Sequence, residues 1–326
     1  MRARSRFLGF AVASAVIVAC SSAMHGNGFT QGIETGTVDS GGAPPASDAG
    51  GSPGAFSSDG AIDSGDDVDP HTPVDVIATA DNAYGFGWGD QNATTTYIAN
   101  PPSQVAGDIF NCPVGGPARK GAALATGATA GPEAYTVPAD DAPPGAYLYL
   151  VAWADYATTQ GVIGQFKREG GSAVYTGAGE WQACATGIPY DTSNASTKNG
   201  PTQVVINQQI AICNAGSGDT STTSAGWVGP TGPIAGPPGA VGTVVFGQDN
   251  GDTSDLRGTP GHDFPPTCGE PSWKDPDNGG IDPAARWMWY GPLGSSADPF
   301  QATGTNDTRT FLIFRLPAKA VPGPPR

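Results

Sequence analysis

The sequence predicts an all-β protein built as a β-sandwich with long loops, and three observations support this. No segment of ten or more residues shows a convincing helical period. Glycine and proline, 49 and 31 of the 326 residues, separate short apolar stretches. Residues 146–153 are an unbroken apolar and aromatic run entered through Pro143-Pro144-Gly145. A run this short predicts a core strand that is covered on both faces.

Other short segments rich in β-branched and aromatic residues predict further strands. Tyr84, Phe86 and Trp88 alternate with glycines, which predicts a strand with three rings on one face and room for another backbone or a ligand on the other. The remaining predicted strands are 74–80, 94–99, 133–137, 161–166, 173–175, 180–183, 202–213, 241–247, 286–290 and 310–316.

The first nineteen residues predict a signal peptide of the bacterial lipoprotein type. A start containing three arginines precedes an apolar stretch of about 13 residues, which is shorter than the ~20 residues of a membrane-spanning helix. Cys20 follows Ile17-Val18-Ala19, as the lipidated cysteine does in such signals. Acylated Cys20 would attach the chain to a lipid bilayer. Resemblance to such lipoproteins implies the outer membrane or cell surface, because Ser21 stands where those of the inner membrane typically carry aspartate. The alternative is an ordinary signal cut after Ala23.

Residues 20–73 predict a disordered tether, because Gly, Ser, Pro and Asp dominate and few apolar side chains are present to bury. Some fifty such residues reach on the order of 40 Å. The β-sandwich domain is predicted at 74–318, with a possible inserted subdomain at 200–285 and a tail at 319–326.

The charge and the cysteines limit the partners and the covalent chemistry. Thirty acidic residues against fifteen basic ones give a formal net charge of −15, which disfavours binding to nucleic acid. The four cysteines beyond Cys20 predict two disulfides in an exported protein. The spacing leaves all three pairings open and argues against a zinc site. These four are Cys112, Cys184, Cys213 and Cys268.

Three blocks of the chain, in order, resemble the galactose-binding-like jelly-roll modules found in glycoside hydrolases and on bacterial surfaces. Residues 79–84, Thr-Ala-Asp-Asn-Ala-Tyr, resemble their TADNxY strand, and 144–153 resemble their strand entered through glycine. Residues 161–166, followed by 174–176 and Trp181, resemble a later block of the same family. The resemblance implies a jelly-roll β-sandwich and non-catalytic binding of carbohydrate. The family's WIW-like and FRxxF-like strands have their nearest equivalents here at the C-terminus, so either the order is permuted or the last strands close the sheet beside 74–80.

Aromatic rings beside amides and carboxylates are the groups expected to bind a polysaccharide or glycan. Trp88, with neighbouring Asp90 and Asn92, is the first candidate platform, and Trp227 and Trp273 in polar loops are others. The acidic, glycine-bent loop carrying Asp249, Asp252 and Asp255 is a candidate calcium site, as is 275–282. Asn, Asp and Gly in such loops also have purely conformational roles.

The sequence therefore predicts a surface-exposed binding module and no catalytic residue. The main alternative is a structural cell-surface or extracellular-matrix lipoprotein without a small ligand. A secreted hydrolase is the remote alternative, with Asp155 and Glu180 as its best carboxylate pair.

Overall fold

Two mainly antiparallel β-sheets make up most of the structure, which is a computed structural model. The described residues all lie within one compact unit, Ile62–Arg326. The predicted signal peptide, Cys20 and the predicted tether up to residue 71 lie outside them. The structure describes residues 72–81, 83–100, 108–110, 118–119, 132–153, 159–188, 200–216, 226–234, 242–251, 264, 267, 281–291, 298–301 and 311–324.

Sheet A has seven strands in the order β12–β13–β7–β1–β5–β4, with the short β8 also paired to β7. All of its pairs are antiparallel except β4 with β5. Its strands are β1 (Val74–Asp81), β4 (Ala118–Arg119), β5 (Glu133–Val137), β7 (Gly161–Arg168), β8 (Val174–Tyr175), β12 (Thr243–Asp249) and β13 (Arg286–Gly291).

Sheet B also has seven strands, in the order β11–β10–β9–β14–β6–β2–β3. They are β2 (Ala83–Gly89), β3 (Thr94–Asn100), β6 (Tyr147–Trp153), β9 (Gln182–Ala185), β10 (Val228–Gly229), β11 (Gly232–Pro233) and β14 (Leu312–Pro317). Short 3₁₀ turns occur at Asp108–Phe110, Ala139–Asp141 and Ala318–Ala320.

The main core contains apolar side chains from strands of both sheets, so the predicted β-sandwich architecture is confirmed at this level. Alternating residues of β1, such as Val74, Val76 and Ala78, belong to one contiguous cluster with Leu148 and Leu150 of β6. Large rings fill much of this core, among them Phe86, Phe166, Trp181, Trp287, Trp289 and Phe314. Burial of this many large apolar groups is the principal driving force for the fold.

Strand β6 is covered on both faces, as its apolar sequence predicts. Leu148 and Leu150 belong to the main core, whereas Tyr149 and Val151 belong to a second cluster on the opposite face of sheet B. Helix α1 (Gln203–Ala215) supplies the cover on that second face through Ile206, Ile210 and Cys213.

The prediction of a strand at 202–213 is wrong, because this segment is helix α1. The buried residues of α1 are spaced by four and then three positions, which places them on one face of a helix. Thr202 accepts a hydrogen bond from the backbone N–H of Val205 at the N-cap, and Gly216 ends the helix in the left-handed region at φ 61°. Among the described residues, no helix is long and apolar enough to cross a membrane.

The glycine face of β2 is filled by a ring from the neighbouring strand. An added Cβ at Gly85 would lie 2.2 Å from the Tyr97 hydroxyl oxygen and 2.6 Å from its Cε2. Tyr97 itself packs against the second cluster, on the side of helix α1. The close approach that the glycines predicted is therefore made by Tyr97 of β3.

The two ends of the described domain meet at Arg168, whose side chain is 1% exposed. Its guanidinium donates from Nη1 to the carbonyl oxygen of Thr72 at 2.5 Å and from Nε to that of Val321 at 3.1 Å. The last strands do not pair with β1: β13 is separated from it by β7, and β14 lies in sheet B. The two ends of the described domain are thus close together, and the alternative in which the last strands close the sheet beside 74–80 is wrong.

Candidate functional site

Arg315 is the charged residue of strand β14 and lies on the outer face of sheet B. Leu312, Phe314 and Leu316 of this strand belong to the main core, while Ile313 faces the second cluster. Alternation along the strand places Arg315 on the same side as Ile313. In the register of the sheet Arg315 stands opposite Tyr149 on β6 and Gln182 on β9.

The guanidinium of Arg315 binds neutral oxygen acceptors from three separate segments. Its Nε donates to Oε1 of Gln182 at 2.7 Å. Its Nη1 donates to Oδ1 of Asn214, in the last turn of α1, at 3.2 Å and to the carbonyl oxygen of Gln91 at 3.4 Å. Arg315 thereby connects β9, helix α1 and the turn between β2 and β3.

Two aromatic rings pack on the same guanidinium. The Cζ atom of Arg315 lies 3.6 Å from the ring centroid of Trp227 and 4.8 Å from that of Tyr147, both within the range of a cation–π interaction. Trp227 also donates from Nε1 to Oδ1 of Asn214 at 2.7 Å. Burial lowers the pKa of the Arg315 guanidinium from its ordinary value, an effect that nearby Tyr149 and Tyr147 oppose. The group formed by Arg315, Gln182, Asn214, Trp227 and Tyr147 is called the Arg315 cluster below.

The turn between β2 and β3 is exposed and is bonded directly to the Arg315 cluster. Oδ1 of Asp90 accepts hydrogen bonds from the backbone N–H groups of Asn92 at 2.7 Å and Ala93 at 3.0 Å, which fixes the turn. Asn214 donates from Nδ2 to the carbonyl oxygen of Gln91 at 2.8 Å. The Tyr149 hydroxyl donates to the carbonyl oxygen of Asp90 at 2.5 Å.

The structure therefore brings part of the predicted binding set to one place. Asp90 and Asn92 lie in the turn that contacts the Arg315 cluster, and Trp227 is a member of the cluster. Trp227 is 7% exposed, so its ring is covered by its neighbours and is no open platform. Trp273 lies outside the described residues.

Trp88 faces the opposite way, into the main core. It alternates with glycine in phase with Tyr84 and Phe86, and all three rings belong to the cluster between the sheets. It is 8% exposed and donates from Nε1 to Oδ2 of Asp141 at 3.1 Å. The exposed platform expected at Trp88 is not formed there, because the period of two that aligns the rings also directs them inward.

Sequence reasoning missed Arg315, Asn214, Gln182 and Tyr147. One signal was present for Arg315, since it is the lone charge in the apolar run 311–316. A charge in such a run marks the outward face of a half-buried strand. The other three residues become neighbours only through strand register and the packing of α1, which the sequence does not display.

The described part of the candidate calcium loop is already bonded to protein groups. The carboxylate of Asp249 forms an ion pair with Arg286 at 3.1 Å. The side chain of buried Asn250 accepts from the backbone N–H of Thr267 at 2.8 Å and donates to the carbonyl oxygens of Thr267 and Ile281. Asp252 and Asp255 lie outside the described residues, so calcium binding there remains a prediction. Within the part of the chain that the structure describes, no group of three or more His, Cys, Asp or Glu side chains could hold a metal ion.

The carboxylates considered for hydrolysis do not form a described pair. Glu180 is exposed beside β9, and Asp155 lies outside the described residues. A different carboxylate, Glu133, is buried between the sheets, with its Oε2 2.5 Å from the Tyr84 hydroxyl. Tyr84 in turn lies 2.8 Å from the Tyr135 hydroxyl. This cluster is inside the core, where a saccharide has no access.

One of the two predicted disulfides is present, and it joins strand β9 to helix α1 next to the Arg315 cluster. Cys184 of β9 and Cys213 of α1 are joined by an S–S bond of 2.09 Å, with both residues 1% exposed. Asn214 directly follows Cys213, so the bond fixes the end of the helix that binds Arg315. Cys112 and Cys268 lie outside the described residues.

Comparison with known proteins gives no relative for this architecture. No protein-family model matches the chain, and neither a curated protein nor a solved structure matches it. The likeness to galactose-binding-like modules therefore depends on the three sequence blocks alone, and function has to be argued from the site.

Proposed function

We propose that this protein is a non-catalytic carbohydrate-binding module and that the Arg315 cluster, with the turn at Asp90–Ala93, forms its binding surface. Binding sites for polar ligands combine aromatic faces with a few oriented polar groups. The half-buried ring of Tyr147 and the amides of Gln182 and Asn92 supply this combination on one side of sheet B. The jelly-roll topology implied by the family resemblance belongs to the same proposal.

The observation that carries the proposal is the attachment of an exposed turn to a buried, rigid support. Hydrogen bonds from Asn214 and Tyr149 hold the carbonyl groups of Gln91 and Asp90, and the disulfide at Cys213 fixes Asn214. A surface held in this way loses little conformational entropy when a ligand binds, and this favours affinity. A turn that served only to connect two strands would not need these long-range contacts.

The proposed cellular setting follows from the N-terminal sequence. We propose that lipidated Cys20 anchors the chain and that residues 20–73 hold the domain away from the bilayer at the bacterial outer membrane or cell surface. In that position the binding surface would contact polysaccharide outside the cell.

The test is a glycan array probed with the exported chain, followed by calorimetry on the glycans that bind. We expect Tyr147→Ala to weaken binding by about tenfold or more, since stacking and cation–π contacts are lost together. Tyr175→Ala is the matched control, because Tyr175 is a half-buried tyrosine on sheet A. Trp88→Ala is unsuitable, since it would remove a core ring.

Three results would contradict the proposal. Binding that survives Tyr147→Ala unchanged would place the ligand elsewhere. Absence of binding to every glycan, combined with concentration-dependent self-association, would favour the structural surface protein. Release of reducing sugar that disappears in Glu180→Gln would show a hydrolase.

A further inference from the structure

The charge of Arg315 lacks a carboxylate partner among the described residues. Its hydrogen-bond partners are two side-chain amide oxygens and one backbone carbonyl oxygen, on Gln182, Asn214 and Gln91, and the side chain of Tyr149. The residue is 8% exposed. Charged groups buried to this degree are ordinarily paired with an opposite charge, because desolvation of an unpaired ion is costly.

The guanidinium also retains unused donor capacity. Arginine has five N–H donors, and the hydrogen bonds from Arg315 to Gln182, Asn214 and Gln91 leave from Nε and Nη1. The side chain of Tyr149 is a fourth hydrogen-bond partner of Arg315, and four hydrogen bonds leave one of the five N–H donors unused. Trp227 and Tyr147 pack on the guanidinium, so the remaining N–H donor on its edge is the part left for a polar ligand. A carboxylate is the ligand that such a charged donor binds most strongly, through a charge-assisted hydrogen bond.

Neutral donors stand next to this charge. The Oε1 atom of Gln182 is occupied by Arg315, while its Nε2 donates to no described residue. Asn92 has an exposed side chain in the adjoining turn. Hydroxyl groups of a sugar ring need neutral partners of this kind beside the one that binds a charge.

The net charge of the whole chain, −15, restricts the ligand further. A densely charged polyanion would be repelled by the acidic surface. A single carboxylate is less affected, because at physiological salt a Debye length of about 8 Å screens the more distant acids. We infer that, if the proposed function holds, the ligand is a largely neutral glycan carrying isolated hexuronic acid residues and that Arg315 binds their carboxylate.

The direct test compares matched ligands on the unmodified exported chain. The probes are a xylo-oligosaccharide bearing one glucuronic acid residue, its methyl ester and the unsubstituted oligosaccharide. Every acidic glycan found on the array is also compared with its ester. Binding is followed by calorimetry and by the indole N–H signals in a nitrogen-15 correlation spectrum. We expect the acid to bind at least tenfold more tightly than the ester and to shift the Trp227 signal.

Three variants test whether Arg315 itself binds the ligand carboxylate or whether any loss of positive charge from the protein weakens binding. Arg315→Lys keeps the charge but loses the guanidinium N–H groups, and Gln182→Ala removes the amide that orients Nε, so both should reduce the preference for acid over ester. Arg286→Gln is the matched control, because it removes one arginine charge from sheet A, away from the cluster. If Arg315→Lys does not fold, Gln182→Ala and the comparison of acid with ester on the unmodified protein still test the inference.

The outcomes distinguish this inference from the proposed function. Glycans that bind through the Tyr147 surface with equal affinity as acid and ester, or binders that contain no acidic sugar, would overturn the inference and leave the proposed function intact. Absence of binding to every array glycan and to all three probes would overturn both.

Discussion

Cys184 and Cys213 join the middle of sheet B to the end of helix α1 through a disulfide across 29 residues of sequence. In the chain-entropy account, a loop of this size contributes about 3–4 kcal/mol by restricting the unfolded chain. We expect the double substitution Cys184→Ala/Cys213→Ala to lower the free energy of unfolding by this amount, measured by guanidinium denaturation. The single substitutions are poor comparisons, since each leaves a free thiol. An unchanged denaturation midpoint would show that helix packing alone fixes α1.

The remaining cysteines provide a second prediction. With Cys184 and Cys213 paired, the sequence expectation of two disulfides leaves only the bond between Cys112 and Cys268. We expect that, in the denatured and unreduced protein, none of the four cysteines after Cys20 reacts with a thiol reagent. We also expect a peptide map to contain a linked Cys112–Cys268 pair. If two of these cysteines are labelled, the protein contains only the Cys184–Cys213 disulfide and the prediction of a second one is wrong.

The packing of Tyr97 over Gly85 predicts that this glycine tolerates no side chain. In Gly85→Ala the new Cβ would lie 2.4 Å from Cζ of Tyr97, so the ring must move. We expect destabilisation by ~1–3 kcal/mol, the usual cost of overpacking, in thermal or chemical unfolding. The control is Gly145→Ala, where no atom lies within 4 Å of the added Cβ. Equal stability of the two variants would mean that the Tyr97 ring is free to turn aside.

Alkaline pH should unfold the protein cooperatively. Burial raises the pKa of Tyr84, with Glu133 adding to the effect, and burial raises the pKa of Tyr290 to about 12. Because the ordinary tyrosine pKa is about 10, the unfolded chain loses these protons first, so stability is present below pH 10 and decreases as the pH rises through 10–12.

The measurement is the tyrosinate absorbance followed together with circular dichroism. We expect the buried tyrosines to ionise in the same pH interval in which the β-sheet signal disappears. Full ionisation of all nine tyrosines near pH 10 with an intact β-sheet signal would contradict the assigned burial.

The strands were largely predictable because their signals are local. Apolar runs bounded by Pro and Gly place β1, β2, β6, β7 and β14 within one or two residues of their observed ends. Helix α1 was mistaken for a strand because its β-branched residues, Val204 to Ile206 among them, have high strand propensity. Its helical signals were the spacing of Ile206, Ile210 and Cys213 and the flanking Thr202 and Gly216.

The candidate site was predictable only in part, because most of its contacts join residues far apart in sequence. Asp90, Asn92 and Trp227 were recognised by residue type. Their association with Arg315, 224 residues beyond Gln91, depends on the register of β14 against β6 and β9. The inward direction of Trp88 follows from alternation, but the sequence alone does not say which face of β2 is the interior.

The position of Arg168 determines how the domain would carry mechanical load. Tension arriving along the chain from before Thr72 meets the Thr72–Arg168 hydrogen bond first and then β1, which is bonded to β5 on one side and β7 on the other. Tension along the strand axis must shear both ladders at once, whereas an edge strand would peel away bond by bond. Force applied at the N-terminal end of the domain therefore acts on a central strand of sheet A. We expect Arg168→Lys to lower the force at which single molecules unfold when they are pulled from that end.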